Sequence, residues 1–393
     1  MIDIKAFRHE PRPFLDGAKR KGAFQQAVDL LNADEEWRTR VVSVDNLRAQ
    51  QKIDGKPTPA ELDRLQEIKR KLKSAESELA DAAARRDELL QQVPNPPHES
   101  VPDEDDAIRH WGDPPRLEDP QDHLALGRFD TERAAKVSGT RFGYWVGDTA
   151  LLALALYRFA LDRLVARGFT PVLPPVLVRE EAMYGTGFFP SEKHDYYEIP
   201  ADGLYLVGTS EVPLAGLHMG EILEGLPLRY CAFSSCFRRE AGAAGRDTHG
   251  MFRVHQFEKV EMFVWSAPEE SWDEHERLLA IEEELVQELG LPYRVLNIGA
   301  GDLSASAAKR YDIEAWFPSQ ERYREITSCS NTTDYQARRL GTRVRRNGKP
   351  ETPHTLNGTA ATGRWALAIL ENFQGEVPQA LHEFGAPAHI SPR

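Results

Sequence analysis

The chain has 393 residues, of which 41% are hydrophobic and 28% charged, with a net charge of −13. That length accommodates two or three domains around a large core. The acidic balance excludes a surface that grips nucleic acid over its whole extent, but leaves room for a local basic patch.

The first ten residues, MIDIKAFRHE, carry charge from the third position and lack the apolar core of a signal peptide. No apolar run approaches the ~20 residues of a membrane span. Cys231, Cys236 and Cys329 show neither disulfide nor metal spacing. A reducing cytoplasm is the expected compartment, with no membrane contact.

Leu65, Ile68, Leu72, Ala75, Leu79 and Ala82 recur at alternating three- and four-residue steps, a heptad seam. Trp37, Val41, Val44 and Leu47 (or Arg48) repeat similarly, and residues 54–59 (DGKPTP) supply turn chemistry between the two runs. Two antiparallel helices are predicted, forming an arm over about 30–92. Such a hairpin serves either as a packing or dimerisation element or as a rod reaching a large partner. The proline-rich VPNPPHESVP then ends the helix. Domains are therefore expected at 1–100 and 101–393.

Past residue 110 the pattern mixes helix and strand. GDTALLALALYRFALDRLVARGF predicts a helix that is apolar nearly all round, with Asp148 as N-cap and Gly168 past its end. It must be buried, in the core or at a subunit interface. Pro174-Pro175 interrupts the apolar run that follows, as an edge strand allows. Strands are predicted over 204–207, 228–238, 251–265, 293–298, 311–317 and 324–329. Crossover helices are missing between most of them, so an α+β fold with a largely antiparallel sheet is expected. Neither a G-x-G-x-x-G nor a G-x-x-x-x-G-K-S/T stretch is present, which argues against a Rossmann or P-loop nucleotide site.

The densest chemistry lies in FRREAGAAGRDTHGMFRVHQFEKVEMF, residues 237–263. On a strand, Arg253, His255, Phe257, Lys259 and Glu261 share one face, opposite Val254, Val260 and Met262. Arg238 suits phosphate because its planar fork donates paired hydrogen bonds. Phe257 offers a ring on which a base can stack. A buried Glu261 requires a cation, such as a substrate ammonium. The competing reading of this segment alone is a hairpin in which Arg238, Glu240 and Glu261 satisfy one another.

Thr209-Ser210-Glu211 ends another strand, Glu325 and Ser328 end a third, and Arg364 opens the last long helix. Together these residues can bind a triphosphate, a metal and a small ammonium carboxylate. In order and spacing, GTSEVPL, the 237–263 hairpin, YREITSCSNTTDYQARR and LENFQ resemble the class II aminoacyl-tRNA synthetases. Within that class they resemble the bacterial-type seryl-tRNA synthetases, over essentially the whole chain.

The resemblance implies a class II antiparallel sheet flanked by helices behind a tRNA-binding coiled-coil arm, in a homodimer. It implies an enzyme that joins serine to tRNA(Ser), and possibly tRNA(Sec), using ATP and Mg²⁺ without zinc. Amino-acid contacts would come from Thr209, Ser210, Glu211, Arg238, Glu261, Asn357 and Thr359, with Thr209 and Glu211 on the ammonium. ATP contacts would come from Arg238, Arg239, Glu240, Val254, Phe257, Glu325, Ile326, Thr327, Ser328 and Arg364, and metal contacts from Glu325 and Ser328. Arg238, Glu325 and Arg364 would carry catalysis.

One departure stands out. Asn357 and Arg364 are seven positions apart where the family pattern has eight. A loss within the helix would rotate Arg364 by about 100° away from phosphate; a loss before it would leave the helix in register. The basic run from Arg338 through Arg339, Arg343, Arg345 and Arg346 to Lys349 faces either the tRNA acceptor end or solvent. The rival functions are a ligase that loads a carrier protein and a paralogue without catalysis.

Overall fold

The computed structural model describes residues 1–52, 58–241, 250–346 and 348–391. Two compact units are present, Met1–Pro96 and Pro97–Arg393. Most of the predicted turn at 54–59, and Gly242 and Gly245 of the hairpin loop, lie outside the described residues.

The first unit is helical: α1 (Ile4–His9), α2 (Pro11–Arg20), α3 (Phe24–Gln50) and α4 (Pro59–Gln92). Thr58 starts α4 with a capping box, its hydroxyl accepting from the Glu61 N–H while Glu61 accepts from the Thr58 N–H at 2.7 Å. The 34 residues of α4 span roughly 50 Å. Ile68, Leu72 and Ala82 are buried along it and Val44 along α3, so the heptad seam is the contact line. At the base of the pair, Arg86 lies over the Trp37 ring at 4.0 Å. The fully buried Asp34 accepts two hydrogen bonds from Arg8, both 2.6 Å, and one from Arg38 at 3.2 Å.

The second unit is built on an eight-stranded sheet. Its strands are β1 (Asp106–Trp111), β2 (Thr170–Val172), β3 (Leu228–Phe237), β4 (Gln256–Ser266), β5 (Tyr293–Asn297), β6 (Lys309–Phe317), β7 (Arg322–Thr333) and β8 (His354–Thr362). The spatial order is β1-β5-β6-β7-β8-β4-β3-β2. Every pairing is antiparallel except β2 with β3 at the edge, where the proline-rich segment sits.

Helices α5 (Asp148–Ala166), α6 (Ser271–Glu288) and α7 (Gly363–Phe373) supply Leu156, Phe159, Leu278, Leu285, Trp365 and Ile369 to the core beneath the sheet. The N-cap of α5 is Gly147, with φ 61°, not Asp148. That left-handed position suits glycine, and it leaves Asp148 in the first turn, where its charge faces the positive end of the helix dipole. Nor is α5 buried all round: Leu151 is 47% and Leu154 60% exposed.

The predicted strand over 251–265 begins only at Gln256. Met251–His255 are held instead by contacts outside the ladder, so Arg253 and His255 do not belong to the strand face assigned to them. The consequence for the cleft is described next.

Candidate active site

The β3–β4 hairpin, the first half of β7 and the start of α7 converge on one cleft; Glu325 and Ser328 lie within β7 and do not end a strand, because the ladder with β6 continues past them to Asn331. Arg238 follows Phe237, the last residue of β3. Its Nε donates to the Gly208 carbonyl at 3.2 Å, and its guanidinium lies 5.4 Å from the centre of the Phe257 ring. Across the cleft, Arg364 Nη1 donates to the Glu325 carbonyl at 3.1 Å and to its carboxylate at 3.2 Å. Burial alone would raise the Glu325 carboxylate, but the facing Arg364, Arg310 and Arg238 hold it below its usual range. Val254, Ile326, Thr327 and Ser328 line the same space.

Glu240 pairs with Arg253, and Glu261 with Lys259, in place of the mutual pairing with Arg238 that the competing reading required. Arg239 is the exception among the expected contacts. Its N–H ties to the Asp195 carbonyl at 2.8 Å, while the residue is exposed and lines no part of the cleft.

The shortened stretch before Arg364 resolves within the sheet. On β4, Val260 and Glu261 are consecutive, yet their β8 partners are Ala361 and Thr359. Ala360 is therefore a single-residue bulge, and β8 runs without a turn into α7, capped by Thr362. Trp365 Nε1 donates to the Ile326 carbonyl at 3.0 Å, fixing the first turn of α7 against β7. Arg364 thereby reaches Glu325.

Two supporting residues left no signal in the sequence. Phe252 carries Arg364 at 4.5 Å and Arg324 at 3.7 Å from its ring centre. The backbone before it is held by the buried His123, whose Nδ1 meets the Glu371 carboxylate at 2.7 Å and whose Nε2 accepts from the Met251 N–H at 3.3 Å. Those partners require the neutral ring to carry its proton on Nδ1. Gly250 (φ +79°) permits the approach, since a Cβ there would lie 2.5 Å from His123 Nε2.

A buried polar cluster adjoins the cleft, where Lys259 and Thr359 of its lining meet Thr209, Glu211 and Glu261. Glu211 opens a short helix (Glu211–Gly216); its Oε1 accepts from Gln336 at 2.7 Å and its Oε2 from Asn357 Nδ2 at 3.2 Å. Burial, then the neighbouring Glu261, push the Glu211 carboxyl up to about 7. Glu261 is fully buried and accepts from Asn357 at 3.3 Å and from Thr359 at 3.4 Å. The Ser210 hydroxyl and the Asn357 carbonyl oxygen are buried with no hydrogen-bond partner among the described residues. A cleft with two arginines and an aromatic ring thus meets a buried cluster with two carboxylates. The cation beside Glu261 is the chain's own Lys259; its position two residues earlier on the same strand face was the available signal, and Gln336 had none.

The sheet topology and the convergence of β3, β4, β7 and α7 define a class II synthetase core. Residues 197–373 match the family of tRNA synthetase class II core domains (G, H, P, S and T), and residues 1–97 match the seryl-tRNA synthetase N-terminal domain. The serine–tRNA ligase of Thermobifida fusca is 48% identical over 410 residues, covering 98% of this chain and 97% of that protein. The crystal structure of Pyrococcus horikoshii seryl-tRNA synthetase complexed with ATP superposes with a TM-score of 0.93 at 40% identity, covering both chains in full. The cytoplasmic serine–tRNA ligase of Naegleria fowleri, in complex with AMP, gives 0.91 at 33% identity, covering 100% and 99%. The chain belongs to the seryl-tRNA synthetase family.

Proposed function

We propose that the chain activates L-serine with ATP and transfers the seryl group to the 3′ end of tRNA(Ser). The observation that carries this reading is the position of Arg238, between the phosphate cleft and the buried polar cluster. From there its guanidinium can bind the serine carboxylate and the α-phosphate together. The carboxylate oxygen attacks the α-phosphorus, the bond to the bridging oxygen of pyrophosphate breaks, and seryl-adenylate forms. The protein contributes positioning and charge stabilisation more than proton transfer.

Phe257 stacks the adenine beside Glu240, Arg364 clamps the terminal phosphate, and Glu211 and Glu261 take the ammonium. In the second step the terminal ribose hydroxyl of the tRNA displaces AMP from the seryl carbonyl. Mg²⁺ suits this site: Glu325 and Ser328 offer two oxygen donors, and Mg²⁺ takes few protein ligands when phosphates complete its shell. When bound, it neutralises phosphate charge. Among the described residues no cluster of three or more His, Cys, Asp or Glu is placed to hold a metal ion.

The helical arm, residues 30–92 within a tRNA-binding domain of about 1–100, is assigned to tRNA, with 101–393 as the catalytic domain. Shape readout of RNA suits a long charged rod. Homodimerisation is assigned to the outer face of α5 and the segment after it, where Leu151, Leu154 and Leu173 (85% exposed) would otherwise face water. No described helix is long and apolar enough to cross a membrane, and the cytoplasm is the proposed compartment. Of the basic run, Arg338 pairs with Asp334, Arg339 caps the Tyr184 and Phe189 carbonyls, and Arg346 pairs with Glu269, which favours a structural role for these three.

Pyrophosphate exchange across a panel of amino acids, followed by aminoacylation of tRNA(Ser), tests the assignment. Serine alone should support both. Robust exchange with another amino acid, or none with serine, would overturn it.

A further inference from the structure

Glu240 is held in a conformation that its side chain does not favour. Its φ is 51°, in the left-handed region, where a residue with a Cβ persists only if its surroundings fix it. The two peptide N–H groups that flank it end on one residue. The Arg239 N–H donates to the Asp195 carbonyl at 2.8 Å, and the Ala241 N–H donates to the Asp195 carboxylate at 3.1 Å. Asp195 closes a 3₁₀ turn (Lys193–Asp195), its own N–H donating to the Glu192 carbonyl at 2.9 Å, so both acceptors sit on an ordered support.

The consequence reaches the cleft. Between the two tethered N–H groups, Glu240 lines the cleft with Val254 and Phe257 and pairs with Arg253, while Asp195 does not line it. An ionised carboxylate accepts hydrogen bonds and donates none. At the edge of a base stacked on Phe257 it therefore favours an exocyclic amino group and disfavours a carbonyl. That selection requires the carboxylate to stay in place, which a glutamate released from the left-handed region does not do.

We propose that Asp195 is a positioning residue for nucleotide selection: it fixes the backbone on both sides of Glu240 and thereby aims the Glu240 carboxylate at the amino group of the base. The inference rests on the ATP-binding reading above and deepens it. Of the two tethers, the carboxylate is the one a substitution removes. The Asp195 side chain is 35% exposed, so its loss opens no core.

Calorimetric titration of the full-length protein with ATP and with purine riboside triphosphate, which lacks the amino group, provides the test beside pyrophosphate exchange. Asp195→Ala should weaken ATP roughly fivefold, the scale of one hydrogen bond. The analogue should weaken less than twofold, and KM for serine should stay within twofold. Asp195→Asn should recover ATP affinity to within twofold, because its amide oxygen accepts the same Ala241 N–H. In a Glu240→Ala background, Asp195→Ala should have no further effect on ATP. A merely structural role would give neither the selective loss nor the recovery.

An Asp195→Ala protein with parental ATP affinity and base preference overturns the inference. So does an Asp195→Asn protein as weak as Asp195→Ala, which would make the effect one of charge, or full additivity with Glu240→Ala. Should Asp195→Ala fail to fold, Asp195→Ser, one bond too short for the Ala241 N–H, decides by the same criteria. A parent protein that binds ATP but shows no serine-dependent exchange sinks the functional reading instead, and the nucleotide titrations still decide on Asp195. A parent without ATP affinity overturns both.

Discussion

The helical arm and the amino-acid pocket use the same side chains in opposite ways. Along the arm, Arg40 meets Glu36 at 2.9 Å and Arg48 meets Glu76 at 2.9 Å, all on the surface, where water screens each pair and little stability depends on it. In the pocket, Lys259, Glu211 and Glu261 are enclosed, so each charge depends on its neighbours and shifts their protonation. Surface charge leaves the arm open to a polyanionic partner; enclosed charge allows the pocket to discriminate a small zwitterion. The two regions should therefore fail separately.

The widest separation is expected from replacing residues 38–88 with a short Gly-Ser bridge. Aminoacylation of tRNA(Ser) should be lost while serine-dependent pyrophosphate exchange continues. Charging at the parental rate would reduce the arm to a packing element and end the comparison. Next in size is Arg238→Ala, which removes the one proposed cation touching both reacting groups. Exchange should fall roughly 10²–10³-fold, as for loss of a preorganised transition-state donor, and activity within threefold of the parent would remove Arg238 from the chemistry.

Arg364→Ala should lower kcat or raise KM for ATP at least tenfold, about 1.4 kcal/mol. A smaller change would mean that the Ala360 bulge does not aim α7 at phosphate. Because the Glu211 carboxyl sits near 7, it is protonated below that pH and loses its hold on an ammonium. Between pH 7.5 and 6, kcat/KM for serine should fall by roughly eightfold; a flat serine profile would place the ammonium elsewhere.

The smallest effect on activity comes from the helical unit's own buried charge. Arg8→Ala strips Asp34 of its two-point partner and leaves Arg38. The unit should lose about 1.5–3 kcal/mol in denaturant titrations, with serine-dependent exchange unaltered. A coupled loss of exchange would show that the two regions do not fail separately.

The sequence by itself determined what is local or periodic. The heptad seam placed α3 and α4, because a helix's contact face recurs every three or four residues and is written in consecutive positions. Strand parity put Phe257, Lys259 and Glu261 on one face, and the motif stretches identified Arg238, Glu325 and Arg364 as neighbours-to-be. Only the tertiary structure decided the rest. The register of β4 against β8 places a bulge at Ala360 just before α7, which depends on a pairing between segments about a hundred residues apart in the chain. Phe252 bears the two arginines, and His123 reaches Glu371 and Met251, only because β7, α7 and the hairpin pack together. The company of the buried Glu261, with Lys259, Asn357 and Thr359 against its carboxylate, exists only once β4 and β8 have paired.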